Sequence, residues 1–318
     1  MVDRPEKLLL LDTASLYFRA YFGVPESTKA PDGTPVNAVR GLLDMIARLV
    51  TDLRPTRLVC CWDDDWRPAF RVEAIPSYKV HRVAVEVPGT TGLEMVPDTL
   101  SPQIPVIVDV LAALGIARVG VPGYEADDVI GTLVAREVAK PRDRAVVEVV
   151  TGDRDLFQLV DDEVPVRVLY TARGIRDLET VNQARLLEKY GIATGPGYAD
   201  MAVLRGDPSD GLPGVPGIGE KTAAALVHRY GSLVEILVAR DAGDNGLSPT
   251  QRRRLTESAS YLAVAPAVVR VAPDAPVGEV DDRLPAVVAD ADRLVALAER
   301  WGLSSSVKRV VDALANAH

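Results

Sequence analysis

The 318-residue sequence has few of the residues that identify disulfide-rich, zinc-binding or serine-hydrolase proteins. Its two cysteines, Cys60 and Cys61, are adjacent, a spacing that suits neither a disulfide framework nor a zinc site. Its three histidines, at positions 81, 228 and 318, offer no Ser/His/Asp arrangement and no histidine-rich metal site. We therefore expect a reduced, cytoplasmic protein.

Long apolar runs are also missing. The run Leu8–Leu11 ends at Asp12 and is too short for a secretory signal, so it is better explained as a buried strand. No other run approaches the roughly 18–20 residues of a membrane span. The sequence therefore predicts no membrane partner.

Positive charge is in short supply as well. The 36 lysines and arginines against 45 aspartates and glutamates give a formal net charge of −9. A protein that coats nucleic-acid phosphates should be basic, so this class is disfavoured unless the acids are concentrated in one place. The hydrophobic share of 47% and the charged share of 25% are ordinary for a folded globular protein.

Apolar runs of strand length alternate with helical patterns in the first half of the sequence. The predicted strands are Leu8–Leu11, Arg57–Trp62, Ala117–Val121, Ala145–Val150 and Val166–Tyr170, and the predicted helices are Asn37–Leu53, Ile104–Leu114 and Ala126–Val138. Such alternation is typical of a parallel sheet. We therefore expect an α/β domain over residues 1–180, with a mostly parallel central sheet flanked by helices.

The pattern then changes, which places a second, helical domain at residues 181–318. Glycine and proline are dense from Gly195 to Gly219. The helices predicted beyond them are Lys221–Arg229, Ser248–Leu262 and Asp290–Ala315. The segment Val268–Val277 is expected to be extended and to return to the first domain. Within the first domain, Val83–Pro102 is rich in proline and glycine and is predicted to be a long, mobile excursion.

Acidic residues follow the predicted strands at the points where those strands end. Asp12 follows the first strand, Asp63 follows the second, and Asp153 comes soon after Val150. Because the carboxyl ends of parallel strands share one edge of the sheet, these side chains should meet where such sheets bind ligands. The full set of candidates is Asp12, Asp63, Glu125, Asp127, Asp128, Asp153, Asp155, Asp207 and Asp210.

Each acid alone has an ordinary explanation as a helix cap or a turn residue, and only their coincidence indicates a site. Clustered carboxylates repel one another unless cations lie between them, and hard divalent ions such as Mg²⁺ or Mn²⁺ prefer oxygen ligands. Paired ions of this kind suit phosphoryl displacement. Removing the nine candidate charges from the net charge of −9 leaves zero, so the acidic balance does not oppose a nucleic-acid substrate.

A glycine-rich segment, Gly211–Thr222, is the second informative stretch of the sequence. It is not a P-loop, because Glu220 separates Gly219 from Lys221. A dinucleotide-binding loop would follow a strand, whereas this segment lies among predicted helices. Two explanations remain: a turn whose backbone N–H groups hold a DNA phosphate, or a purely structural turn between two helices.

Five motifs, in order along the chain, resemble the bacterial 5′ nuclease family, which comprises the 5′-nuclease domain of DNA polymerase I and its stand-alone flap endonuclease relatives. They are Leu11–Tyr21 (LDTASLYFRAY), Tyr78–Arg82 (YKVHR), Gly123–Leu133 (GYEADDVIGTL), Thr151–Asp155 (TGDRD) and Gly206–Thr222 (GDPSDGLPGVPGIGEKT). The similarity runs from about Leu8 to Tyr230, and no polymerase-like segment follows in the 318 residues, so we expect a stand-alone relative. The resemblance implies a PIN-like nuclease fold with an arch segment at about residues 76–105. It also implies a helix–three-turn–helix DNA-binding element at about residues 200–232.

The resemblance implies a metal-dependent phosphodiesterase that acts on branched DNA in replication and repair. It would work as a 5′ flap endonuclease and a 5′→3′ exonuclease, leaving a 5′-phosphate and a 3′-hydroxyl. Two carboxylate clusters would hold two or more Mg²⁺ or Mn²⁺ ions: Asp12, Asp63, Glu125, Asp127 and Asp128 in one, and Asp153, Asp155, Asp207 and Asp210 in the other. Asp64 remains an alternative to Asp63.

The resemblance also implies DNA-contacting residues. Lys79 and Arg82 match family positions that steady the scissile phosphate, and Arg71 is a further candidate for that role. Tyr17 and Tyr21 either stack on unpaired bases or pack in the core. The remaining candidates are Arg19 and the turn residues Gly214, Val215, Gly217, Ile218, Gly219, Lys221 and Thr222. In relatives a K⁺ ion is held by main-chain oxygens of this turn, and Val83–Pro102 is longer and less basic than the family's usual arch.

The expected partner is DNA with 5′ flaps, nicks or 5′ ends, bound by a monomer. Two other functions stay open: a branched-DNA binding protein without catalysis, and a relative that cleaves RNA 5′ ends on the same scaffold. A decayed, non-catalytic site should have lost acidic ligands, and none of the expected acids is missing from the sequence.

Overall fold

The computed structural model describes residues 6–317, which form eight strands and thirteen α-helices. The strands are β1 (Lys7–Asp12), β2 (Arg57–Cys61), β3 (Val83–Val85), β4 (Leu93–Glu94), β5 (Ala117–Val119), β6 (Val146–Thr151), β7 (Val166–Tyr170) and β8 (Glu179–Val181). The helices are α1 (Thr13–Gly23), α2 (Asn37–Leu53), α3 (Ala69–Ala74), α4 (Gln103–Leu114), α5 (Ala126–Val138), α6 (Gln183–Tyr190), α7 (Gly195–Arg205), α8 (Glu220–Tyr230), α9 (Leu233–Asp241), α10 (Pro249–Glu257), α11 (Ala259–Val269), α12 (Ala291–Trp301) and α13 (Ser304–Ala317).

Six strands form one central sheet in the order β5-β2-β1-β6-β7-β8, in which only β8 is antiparallel to its neighbour. Leu8 and Leu10 of β1 face the core that contains α5, whereas Leu9 and Leu11 face the core that contains α2 and α4. A sheet buried on both faces needs nearly continuous apolar strands. The expected α/β class with a mostly parallel sheet is confirmed.

The carboxyl ends of the central strands meet at one edge of the sheet. In register, Asp12 of β1 lies beside Cys61 of β2, and Leu11 lies beside Val150 of β6. Helix α1 starts at once after β1, because the Asp12 side chain accepts a hydrogen bond from the Ser15 main-chain N–H at 3.1 Å and caps the helix. The edge therefore gathers the residues that follow β1, β2 and β6.

The two cysteines lie on opposite faces of β2. Cys60 packs in the core with α2, Cys61 packs in the core with α5, and both are free thiols. Burial raises the pKa of Cys60 to about 12 and raises the pKa of Cys61 well above its ordinary value. The structure thus agrees with the absence of a disulfide framework.

Helix α7 was not predicted from the sequence, because glycine and proline are dense at its start. Its first turn contains Pro196, whose missing N–H costs nothing at that position, and the Thr194 hydroxyl caps it by accepting from Gly197 N–H at 3.1 Å. The long helices predicted at Ser248–Leu262 and Asp290–Ala315 are each two helices. They are divided at Ser258 and at Gly302, which has a φ of 63°.

The chain returns to the α/β domain after α11, as expected for the segment that ends at Val277. The Thr132 hydroxyl of α5 donates to the Ala272 carbonyl at 3.1 Å and accepts from Ala275 N–H at 3.0 Å. Helices α12 and α13 then pack on α4 and α2. Within residues 6–317, no helix combines the length and the apolar character that crossing a membrane requires.

The segment Val83–Pro102 contains the small antiparallel hairpin β3–β4, and the loop between its strands is held by side chains that precede the segment. The Arg67 guanidinium donates to the carbonyls of Tyr78 at 2.6 Å and Thr91 at 2.8 Å, and Trp66 Nε1 donates to the Gly92 carbonyl at 3.2 Å. The predicted excursion thus contains a short hairpin. Its mobility stays a prediction.

Candidate active site

A cavity of about 430 Å³, here named the acidic cavity, opens at the carboxyl edge of the sheet. Its lining includes the side chains of Asp12, Asp63, Asp64, Lys79, Arg82, Glu94, Glu125, Asp127 and Asp153. Five of the nine expected acids thus line one cavity, although up to 141 residues separate them in sequence. Glu94 of the β3–β4 hairpin was not expected, because nothing in the sequence marks the acid that a hairpin turns toward the sheet.

The first acidic group, Asp12, Asp63, Glu125 and Asp127, is partly or fully buried. Burial, followed by the charges of Asp63 and Asp153, raises the pKa of Asp12 to about 7, although Thr151 donates a hydrogen bond to it at 2.6 Å. Burial, followed by the charge of Glu125, raises the pKa of Asp63 to about 6. The carboxyls are therefore crowded in a poorly solvated space.

The second acidic group, Asp155, Asp207 and Asp210, lies next to the first. Burial, followed by the charges of Asp153, Asp210 and Asp207, raises the pKa of Asp155 well above its ordinary value. Asp153 also adds its charge to those of Asp12 and Asp127. Asp153 is therefore the residue at which the two groups meet.

The side chains offer only carboxylate oxygens, which suit hard divalent ions. Burial and, after it, the charges of neighbouring carboxylates raise the pKa of several of them, so positive charge placed among them would be stabilising. In the part of the chain that the structure describes, no three of these groups are arranged around a single point as a closed metal site would be. The chemistry of the donor set fits divalent ions, while the arrangement of the side chains is open.

Asp128 lies in a buried ion pair and is not among the residues that line the acidic cavity. It is fully buried, its two oxygens accept from Arg71 Nη1 at 2.8 Å and Nη2 at 2.7 Å, and one of them also accepts from Ala272 N–H at 2.8 Å. Arg71 is itself buried and donates from Nε to the Val268 carbonyl at 3.0 Å. These contacts give both residues structural partners, while the roles expected of Asp128 as a metal ligand and of Arg71 as a phosphate contact stay predictions.

Two cations of the predicted set do reach the acidic cavity. Lys79 Nζ lies 3.0 Å from Glu125 Oε1. Burial lowers the pKa of Lys79, but the charge of Glu125 outweighs this effect and raises the pKa well above its ordinary value. Arg82 lies 2.7 Å from Asp210 with a side chain that is 38% exposed. Tyr78, which sequence reasoning did not single out, donates to Glu125 Oε1 at 2.9 Å.

The α1 candidates separate into different surroundings. Tyr17 is buried against Phe18 and Trp62, which favours core packing over base stacking. The hydroxyl of Tyr21 lies 2.8 Å from Thr99 Oγ1 and is engaged in that contact. Arg19 lines a different cavity of about 770 Å³, between α1, α2 and α13.

The glycine-rich turn connects α7 to α8 and is anchored by its apolar side chains. Val215 and Ile218 are buried, so only their main chain is available to a partner. Gly219 begins α8 with open space around it, and Lys221 is exposed in the first helical turn, with the partly exposed Thr222 next to it. The turn therefore presents backbone and one lysine to the surface.

An arginine that was not predicted completes this turn. Arg254 of α10 donates from Nη1 to the Gly217 carbonyl at 2.9 Å, and its guanidinium occupies the space that a side chain at Gly217 would need. Gly217 has a φ of 73°, and Gly214 has a φ of 65° with its backbone against the Arg205 carbonyl. The run Arg252–Arg254 was the available sequence signal.

Two family descriptions match consecutive parts of the chain. Residues 7–191 match the 5′-3′ exonuclease, N-terminal resolvase-like domain, and residues 194–292 match the 5′-3′ exonuclease, C-terminal SAM fold. A structure entitled T5 D15 protein co-crystallised with metal ions has the same fold, with a TM-score of 0.62 and 16% identity, covering 98% of this chain and 100% of that one.

Two curated relatives are similar along nearly their whole length. A 5′-3′ exonuclease of Streptomyces coelicolor is 63% identical over 306 residues, which is 96% of this chain and 99% of the relative. A 5′-3′ exonuclease of Mycobacterium tuberculosis is 52% identical over 314 residues, 96% of this chain and 97% of the relative. The resemblance drawn from the motifs is confirmed: the chain belongs to the 5′-3′ exonuclease family.

Proposed function

We propose that this protein is a structure-specific 5′ nuclease that cleaves DNA phosphodiesters at 5′ flaps and 5′ ends, leaving a 5′-phosphate and a 3′-hydroxyl. The observation that carries the proposal is that five of the expected acids line one cavity at the carboxyl edge of a parallel sheet, where Asp153 also accepts a hydrogen bond from the Asp155 N–H at 2.8 Å. Membership of the 5′-3′ exonuclease family supports the same reaction.

The acids would hold two or more divalent ions, Mg²⁺ or Mn²⁺. The proposed ligands are Asp12, Asp63, Glu125, Asp127, Asp153, Asp155, Asp207 and Asp210. When bound, such ions supply the positive charge that stabilises the attacking and leaving oxygens of an in-line displacement. The T5 D15 protein, which shares the fold, was crystallised with metal ions.

Lys79 and Arg82 would bind the scissile phosphate. Both line the acidic cavity, and each is paired with a carboxylate, Lys79 with Glu125 at 3.0 Å and Arg82 with Asp210 at 2.7 Å. A cation held in this way is already oriented before the substrate arrives, which lowers the cost of placing the phosphate near the acids.

The glycine-rich turn would hold the duplex backbone without reading sequence. Gly217 and Gly219 are exposed and have no side chain, which lets a phosphate approach the main chain closely, and Lys221 adds a charge. A K⁺ ion held by main-chain oxygens of the turn is part of this proposal. Arg19 and Tyr21 remain candidates for weaker contacts along α1.

The test is a cleavage assay on 5′-flap, nicked, gapped and single-stranded DNA with Mg²⁺ or Mn²⁺. We expect product at the flap junction and complete loss of product in EDTA. A parallel RNA substrate with a 5′ end distinguishes a relative that cleaves RNA. Junction binding with no product in either metal would contradict the nuclease and support a non-catalytic branched-DNA binding protein.

A further inference from the structure

The Arg71 guanidinium is buried beside the acidic cavity and is saturated by protein groups. Two of its nitrogens bind both oxygens of Asp128, at 2.8 and 2.7 Å, and Nε donates to the Val268 carbonyl at 3.0 Å. Its Nη1 also lies 3.2 Å from Glu125 Oε2. One arginine therefore serves two carboxylates, of which only Glu125 lines the cavity.

Asp128 also binds Glu125, through the Glu125 main chain. Its Oδ2 accepts from the main-chain N–H of Glu125 at 3.2 Å, while Oδ1 accepts from Ala272 N–H at 2.8 Å. The two residues thus fix both the backbone and one carboxylate oxygen of Glu125. The other oxygen, Oε1, accepts from Tyr78 and Lys79.

Arg71 and Asp128 also bind main-chain groups at residues 268 and 272, which lie at and after the end of α11. Val268 belongs to α11 of the helical domain, and Ala272 belongs to the strap that leaves it, here defined as residues 270–277. The pair therefore connects α3, the start of α5 and the chain leaving α11 at one point. The position of Glu125 is set relative to both domains.

We propose that the Arg71–Asp128 pair is a positioning element for Glu125, and that it controls how strongly the acidic cavity binds a divalent ion. This inference rests on the proposed function, because it takes Glu125 as a metal ligand. Asp128 shares the charge of Arg71, which would otherwise bind Glu125 alone and compete with the ion. Groups that orient a ligand in this way commonly change metal affinity by about 10- to 100-fold when they are substituted.

The test measures Mn²⁺ binding to the full chain in the absence of DNA, with electron paramagnetic resonance as the readout. Asp128→Asn keeps the shape of the side chain but removes its charge. We expect Mn²⁺ affinity to fall by about 10- to 100-fold in the folded variant. Arg71→Lys should shift affinity in the same direction, because a compact ammonium cannot reproduce the bidentate pairing with Asp128 while it also contacts Glu125 and the Val268 carbonyl.

Thr132→Val is the matched control. Thr132 is buried in the same helix and holds the same strap through Ala272 and Ala275, but it does not contact Glu125. We expect this variant to lose thermal stability and to keep the Mn²⁺ affinity of the wild type.

Three results would overturn the inference. Folded Asp128→Asn or Arg71→Lys with wild-type Mn²⁺ affinity would show that the pair is only structural. An equal loss of affinity in Thr132→Val would show that any damage to the strap has this effect. A wild-type protein that binds no Mn²⁺ would contradict the proposed function itself, and the inference with it.

Discussion

At the scale of single residues, burial and partners decide what an aspartate of this site can do. Asp128 is fully buried and is neutralised by Arg71. Asp153 is exposed, and its oxygen accepts only a turn hydrogen bond from Asp155 N–H at 2.8 Å among the described contacts. Both are aspartates in motifs of the family, so the motif alone cannot separate the structural acid from the candidate ligand.

Asp153→Asn should abolish most of the cleavage activity while DNA binding remains. The substitution removes the charge at the point where the two acidic groups meet, and we expect the single-turnover rate to fall by roughly 100-fold or more, at least the cost of losing an outer partner of a metal ligand. Asp161→Asn is the control, because Asp161 accepts a similar turn hydrogen bond from Glu163 N–H at 2.9 Å, away from the cavity. Equal rates in the two variants would count against a role for Asp153.

At the scale of elements, the glycine-rich turn shows how a loop can be rigid without regular structure. The buried side chains of Val215 and Ile218 anchor the turn in the core, and Arg254 donates a hydrogen bond to the Gly217 carbonyl. The turn is therefore held in one shape before any ligand binds. A preformed turn loses little conformational entropy on binding a phosphate.

Gly217→Ala should destabilise the turn and weaken duplex binding. The new methyl group would overlap the Arg254 guanidinium, and a φ of 73° is unfavourable for alanine. We expect a loss of about 1–3 kcal/mol in the free energy of unfolding, measured in urea, and a lower affinity in fluorescence anisotropy. Gly231→Ala has a similar strain, at a φ of 88°, but open space around it, so it should lose stability without losing DNA affinity.

The elements also show how far the sequence predicts this fold. The strands and the acidic edge followed from apolar runs and from the residues after them, because both are local signals. Helix α7 was missed, since Thr194 and Pro196 act as a start signal only once the chain beyond them is known to be helical. The pairing of Arg71 with Asp128 joins residues 57 apart in sequence through burial, which no spacing rule reports.

At the scale of the whole molecule, an ion-pair cluster fastens the C-terminal part of the chain to the sheet. Arg57 of β2 lies 2.7 Å from Glu137 of α5 and 2.6 Å from Asp282, which follows the strap. Glu137 also accepts from Ala145 N–H at 2.8 Å. The cluster thus joins a strand, a helix and the returning chain.

Glu137→Gln should destabilise the protein in a pH-dependent way. Burial raises the pKa of Glu137, but hydrogen bonds from Lys140, Ala145 and Arg57 outweigh this effect and leave the pKa below its ordinary value of 4.5. A lowered pKa stabilises the folded state above about pH 4.5, and the stabilisation is lost as the pH falls through the folded-state pKa. We expect a difference of about 3 kcal/mol from wild type in urea unfolding at pH 7 that shrinks below pH 4.5. A difference that is constant with pH would contradict this assignment.

The opposed placement of Cys60 and Cys61 has a practical consequence for labelling. Each thiol is buried in a different hydrophobic core, on opposite faces of the sheet, and the sequence has no other cysteine. Maleimide fluorophores or spin labels would therefore attach at cysteines introduced on the surface, one in the β3–β4 hairpin and one in α8, with the native pair left unmodified. Distance measurements between the β3–β4 hairpin and α8 become accessible in an otherwise unaltered protein.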